Sequence, residues 1–233
     1  MADLHLLDNI FWHALAGPQA RFALGTNVAR RFARDYSPII AFADAQSPDF
    51  AAIAPWCEAG ERFYVDGWTG RVAPGWRLEL DSTMYKMVRD GPVPDADDLR
   101  GVRPLDARDA TRAFELARLT RPGPFGPRTI ELGEYFGLFD GDQLVAMAGE
   151  RVFAAGWREI SGVCTHPDQQ GRGHAQRLMN LLLRREMLRG ERPFLHVAST
   201  NTGAVRMYER MGFRIHRESA VRVVSREPGP GVR

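Results

Sequence analysis

Apolar and polar positions are patterned most regularly after residue 105, and the elements can be read there in order. Asp106 is placed to cap a helix over 107–119, with Ala110, Phe114 and Ala117 on one face. Three prolines and two glycines make 122–127 a loop. Apolar runs at 135–139 and 143–152 flank Asp140-Gly141-Asp142, a hairpin signal, and Ala154-Ala155-Gly156 turns the chain into a third run at 159–166. A helix over 175–189 follows, with Leu178, Leu181, Leu182 and Leu188 apolar and Arg177, Arg184 and Arg185 solvated; Gly190 ends it. Next come a short buried strand at 193–197, a helix over 201–211 stopped by Gly212, and one or two strands across 213–224. The tail from Arg226 through Gly231 reads as frayed. Strands and helices mix in one unit, which predicts an α/β fold with a mixed sheet and flanking helices.

The first hundred residues carry a weaker pattern. Strands are expected at 38–42, 63–66 and 76–87, the last with Leu78, Leu80 and Tyr85 among its apolar positions, and a short helix at 50–58. This N-terminal α/β region reads as a degenerate half-domain only by its mixture of elements, since no motif is shared with the second half. Residues 90–98 hold two prolines and four aspartates, a linker or exposed loop. The expected division is therefore 1–100, of unassigned role, and 101–233.

Composition narrows the function classes. Apolar residues are 44% and charged residues 26% of 233, far from disorder. The net charge of +2 hides an asymmetry, about −4 before residue 100 and about +6 after it. That balance, without a basic stripe interleaved with aromatics, argues against a nucleic-acid partner. The charge-free stretch 9–20 is too short to span a bilayer and is broken by His13, Gly17 and Pro18. Asp3 and Asp8 stand where a signal peptide needs positive charge. Cys57 and Cys164 alone can form neither a disulfide framework nor a metal cage. The expectation is a soluble cytoplasmic protein with no membrane partner and no metal.

The chemistry lies in residues 159–175, where a strand ends at His166-Pro167 and a glycine-bearing loop opens onto a helix. Unpaired N–H groups and the positive end of the helix dipole make such a loop an anion site, and a diphosphate suits it. Gly171 and Gly173 let the backbone approach the oxygens. A Walker loop would need a lysine after Gly173, where His174 stands, and the only lysine in the chain is Lys86. A dinucleotide fingerprint would need glycine or alanine at Gln176. A third pattern, Gln or Arg, two residues, Gly, one residue, then Gly or Ala, is met by Gln170, Gly171, Arg172, Gly173, His174 and Ala175.

With this loop the sequence resembles the GNAT superfamily of acetyl-coenzyme A-dependent acetyltransferases. The element order from about 103 to 224 is similar to that family's fold. Asn201, Ala204, Tyr208-Glu209 and Gly212-Phe213 match its second signature about 30 residues downstream. The resemblance implies acetyl-coenzyme A as co-substrate and a primary amine as acceptor, on a small molecule, an amino acid or a peptide. It implies that the backbone of Val163, Cys164 and Thr165 lies beside the pantetheine and acetyl group and that the N–H groups of Gln170 to Ala175 hold the pyrophosphate. It implies too that Asn201 bonds the pantetheine arm and that Tyr208 protonates the departing thiolate. An amine must lose its proton to attack a thioester, and the charge then formed on the carbonyl oxygen is stabilised by a fixed N–H from 163–165.

Three groups compete for the base. Glu159 lies eleven residues before Gln170, the offset used in the histone-acetylating branch, and alternation sets Glu159, Ser161, Val163 and Thr165 on one strand face. His196 lies five residues before Asn201, where the branch acting on protein N-termini places a base. Glu150 ends the second hairpin strand and could serve as base or grip the amine. Cys164 lacks a partner motif for a nucleophile. The N-terminal part is expected to wall the acceptor pocket or complete the fold, and its apolar strands would suit a homodimer. The alternatives are an acyl-coenzyme A sensor without turnover and transfer of a longer acyl group.

Overall fold

The computed structural model describes residues 3–96 and 98–228, so the end of the tail expected to fray lies outside the described residues. One sheet of eleven strands organises the molecule. In chain order the elements are α1 (Ile10–Ala16), β1 (Ala23–Gly25), β2 (Ala29–Phe32), β3 (Ile39–Phe42), α2 (Phe50–Ile53), β4 (Arg62–Asp66) and β5 (Trp76–Arg89). They continue as β6 (Val102–Pro104), α3 (Ala110–Thr120), β7 (Tyr135–Asp140), β8 (Gln143–Ala154), β9 (Trp157–Thr165), α4 (His174–Leu188), β10 (Arg192–Ala198), α5 (Thr202–Arg210) and β11 (Phe213–Arg226).

The spatial order is β1-β2-β3-β4-β11-β5-β10-β9-β8-β7-β6. Its centre is the antiparallel pair β5–β11, two 14-residue strands paired from Phe213 opposite Arg89 to Arg226 opposite Trp76, with register shifts at 215–217 and 223–224. Outward from this pair both sides repeat one pattern. β11–β4 is antiparallel, β4–β3 parallel, then β3–β2 and β2–β1 antiparallel. β5–β10 is antiparallel, β10–β9 parallel, then β9–β8 and β8–β7 antiparallel. The N-terminal region thus repeats the C-terminal topology in shortened form, and each half lends its last long strand to the other. The division near residue 100 separates β5 from β6 along the chain, while β5 lies between β10 and β11 in space.

Local chemistry explains the elements that position the site. α3 is entered through a capping box in which Asp106 and Asp109 satisfy each other's backbone, and Arg121 ends it in a left-handed conformation at φ 52°. α4 buries Leu178, Met179, Leu182 and Leu183 against Val145, Ala148, Ile160 and Leu195. α3 buries Ala113, Leu116 and Ala117 on the other side of the sheet against Tyr135, Met147 and Cys164. α1 joins α3 on that side, packing Phe11 and Leu15 near Val152, Trp157 and Phe194. Leu188 is 65% exposed, and Leu78 and Leu80 are 37% and 48% exposed, so these three are not core positions. The linker is pinned: Asp90 pairs with Arg192 and Arg214, Arg184 donates to the Pro94 carbonyl at 3.1 Å, and Arg177 donates to that of Arg100. Two of the α4 arginines read as solvated thus hold the strap that joins the halves.

Candidate active site

β9 and β10 pair only from Trp157–Arg192 to Glu159–Phe194, and both run on without each other to Thr165 and Ala198. A bulge in β9 helps to open the gap. Gly149 faces Ser161 and Met147 faces Cys164, so β9 spends three residues where β8 spends two. Gly162 supplies the needed conformation at φ 63°, and a Cβ there would meet the Tyr135 ring at 3.0 Å. The extra residue also breaks the alternation expected for 159–165. Val163 packs with Ile160 on the α4 side, while Cys164 packs with Tyr135 and Met147 on the α3 side. Val163 therefore does not share a face with Glu159.

The opened gap leads to the loop before α4. Gly171 and Gly173 have φ of 75° and 77°, and a Cβ at either would meet nothing within 4 Å. The N–H groups of residues 171–176 donate to no acceptor among the described residues, because α4 begins its own ladder with Arg177 donating to Gly173 at 3.1 Å. Open donors, open space and the positive helix end together fit a diphosphate. His174 reports the local field: its pKa is lowered by burial and then by Arg177 and Arg172. Asn201 caps α5 by accepting from the Ala204 N–H at 3.2 Å, which leaves its amide NH2 to donate elsewhere. Tyr208 is buried on α5 with its ring edge against Phe213, and burial pushes its phenol up to about 12, so it keeps its proton at neutral pH. Burial likewise pushes the Cys164 thiol up to about 11, which removes it as a thiolate nucleophile.

Beyond the gap lies a buried charge cluster. Glu159 is bound by Arg151 through two hydrogen bonds of 3.0 and 2.6 Å and by His196 Nδ1 at 2.7 Å. Burial alone would raise the Glu159 pKa, but Arg151 and then His196 overcome it and pull it down to about 2. A carboxylate so held is a poor proton acceptor; it instead fixes Nδ1 of His196 as the protonated nitrogen. His196 Nε2 has no hydrogen-bond partner, and the ring stacks on Phe11 at 5.0 Å and 16°. Glu150 is elsewhere. It accepts from Arg189, lies 3.5 Å from Arg158 and takes the Glu134 N–H at 3.3 Å, and it does not line the cavity. Arg151 and Phe11 are not among the residues singled out from sequence. The adjacent charges Glu150-Arg151 in an apolar strand are a visible signal for the first; α1 offers none for the second.

Gap, loop and cluster open into one cavity of about 850 Å³. It is lined on one side by Val163, Cys164, Thr165, Gln170, Asn201 and Tyr208, and on the other by Phe11, Ile39, Tyr64, Asp66, Met84, Arg151 and His196. The N-terminal region thus both lines the cavity and supplies β5 to the sheet. Among the described residues no group of three or more His, Cys, Asp or Glu side chains could hold a metal ion, and no helix is long and apolar enough to cross a membrane.

Comparison with known proteins agrees with this architecture. The model of the FR47-like protein family matches residues 135–223. No curated protein matches the chain. Among solved structures, a GNAT-family acetyltransferase from Novosphingobium aromaticivorans is 33% identical over 96% of this chain and 100% of its own, with a TM-score of 0.86. A GCN5-related N-acetyltransferase from Kribbella flavida covers 96% of both chains at 16% identity and a TM-score of 0.59, and one from Sphaerobacter thermophilus covers 88% of this chain and 78% of its own at 17% and 0.52; these two share the fold. The splayed strands, the open loop before α4 and a full-length relative at this identity make one conclusion: the chain belongs to the GNAT family of acetyltransferases.

Proposed function

We propose that the protein transfers an acetyl group from acetyl-coenzyme A to a primary amine by direct attack, with both substrates bound together. The observation that carries the reading is the Glu159–His196 pair: His196 lines the cavity that also holds Tyr208 and the diphosphate cradle, and its buried Nε2 has no hydrogen-bond partner. Acetyl-coenzyme A supplies the activated thioester. Residues 171–176 hold its diphosphate through their open N–H groups, Asn201 donates to the pantetheine arm, and the freed edge of 163–165 aligns the acetyl carbonyl and stabilises its developing negative charge.

His196 Nε2 takes the proton that the amine loses as its N–C bond to the acetyl carbon forms. The Tyr208 hydroxyl gives a proton to the sulfur as the C–S bond breaks, and solvent restores both groups. Glu159 touches neither substrate; it orients the imidazole through Nδ1. Glu150 has no role in this scheme. A sensor without turnover would have no use for the Glu159–His196 arrangement, so catalysis is the better reading.

Thiol release with acetyl-coenzyme A and an amine panel tests it. His196→Gln is expected to lower kcat by about 10²–10⁴-fold while acetyl-coenzyme A affinity stays at the wild-type level. Unchanged kcat in that variant would remove His196 as the base.

A further inference from the structure

The acceptor side of the cavity is walled largely by the N-terminal region, and its chemistry is selective. Phe11, Ile39, Leu80 and Met84 present apolar surface there. Asp66 is the only carboxylate that lines the cavity among the described residues. It is already committed, to Lys86 at 2.6 Å and to the Ser219 hydroxyl at 2.8 Å. Lys86 is saturated in turn, since its three donors meet Asp66 and the carbonyls of Leu7 at 2.7 Å and Asp8 at 3.4 Å. Arg151 spends its charge on Glu159 and gives a further N–H to the Pro124 carbonyl at 3.2 Å. Every inner charge is thus cancelled by a neighbour, and the exposed Arg121 and Arg210 add positive charge at the rim.

A second ammonium group on the acceptor would shed its hydration in this space and find no carboxylate to receive it. A single amine on an aryl or alkyl body meets the opposite situation. Its body buries against Phe11, Leu80 and Met84, which line the same cavity as His196, the base of the scheme above.

We propose that the acceptor is an apolar primary amine, an arylalkylamine or alkylamine with no second charge, and that the N-terminal wall excludes polyamines and aminoglycosides. The proposal rests on the acetyltransferase reading above. Its test is thiol release with phenethylamine and hexylamine against spermidine and kanamycin, alongside calorimetric titration of acetyl-coenzyme A into the same protein. The expected kcat/KM for phenethylamine exceeds that for spermidine by about 100-fold or more. Leu80 is 48% exposed and accepts a charge without disturbing a core; Leu80→Glu gives a second ammonium its partner and is expected to narrow that gap by about tenfold or more. Turnover of spermidine equal to phenethylamine overturns the proposal and leaves the acetyltransferase reading standing. So does cofactor binding without turnover of either apolar amine while a polyamine or aminoglycoside reacts. Absence of acetyl-coenzyme A binding by the folded wild type overturns both.

Discussion

The two parallel crossovers of this sheet, β3–α2–β4 and β9–α4–β10, share a topology and differ in what happens to the backbone donors between strand and helix. In the first, Asp44 accepts from the N–H groups of Gln46 and Ser47 at 2.9 and 3.3 Å, and Asp49 accepts from that of Ala52 at 2.9 Å. The helix is four residues long. In the second, two left-handed glycines expose six N–H groups to open space ahead of a 15-residue helix. One crossover satisfies its own donors and places carboxylates where an anion would sit. The other leaves its donors for a ligand. Fold alone does not make a binding site; the residues that decline to cap the helix do.

The same contrast separates two buried charge clusters. Asp66–Lys86 is closed, with each charge and donor used, whereas Glu159–Arg151–His196 leaves one imidazole nitrogen unbonded. Breaking the closed cluster should therefore harm stability first. Lys86→Met strands the Asp66 charge in the interior, and denaturant unfolding should show a loss of about 3–5 kcal/mol.

Acid acts on the open cluster. The Glu159 pKa lies below its ordinary value, so its stabilisation is complete above about pH 4.5 and is lost as pH falls toward about 2. Unfolding free energy followed across that window should fall by on the order of 3 kcal/mol more in wild type than in Glu159→Gln. Equal acid sensitivity of the two proteins would mean that the carboxylate is not held as described.

The smallest effects come from the caps. Asp49→Ala and Asn201→Ala should each cost about 1 kcal/mol of stability. Only Asn201→Ala should also weaken acetyl-coenzyme A binding, because of the two caps only Asn201 lines the cavity. Parallel losses of affinity in both variants would erase the distinction between the two crossovers.

Much of the C-terminal half is legible in the sequence alone. The hairpin at Asp140-Gly141-Asp142, the stop at Gly190 and the glycines of the loop are local signals that owe little to distant contacts. α1, β1, β2 and β6 are not legible there, for the opposite reason. β2 is Ala29-Arg30-Arg31-Phe32, and Arg31 is buried because Glu61, thirty residues away, receives it at 2.5 Å. Leu78 and Leu80 pattern like core positions, yet they lie on the exposed half of β5. The exchange of β5 and β11 between the halves has no local signature at all. At the site, all three base candidates are visible as residues. Choosing among them requires the Arg151 contact that disarms Glu159 as a base and the arginines around Glu150, which does not line the cavity.

The most direct measurement is calorimetric titration of acetyl-coenzyme A into the wild type and Gly173→Asp. The substitution gives the second crossover what the first already has, a carboxylate beside the helix donors, at a left-handed position that aspartate tolerates better than most residues. Saturable binding by the wild type is expected, with a loss of affinity of about 100-fold or more in the folded variant. Equal affinity in the two proteins would contradict the central claim, because the open donors before α4 would then not be what holds the cofactor.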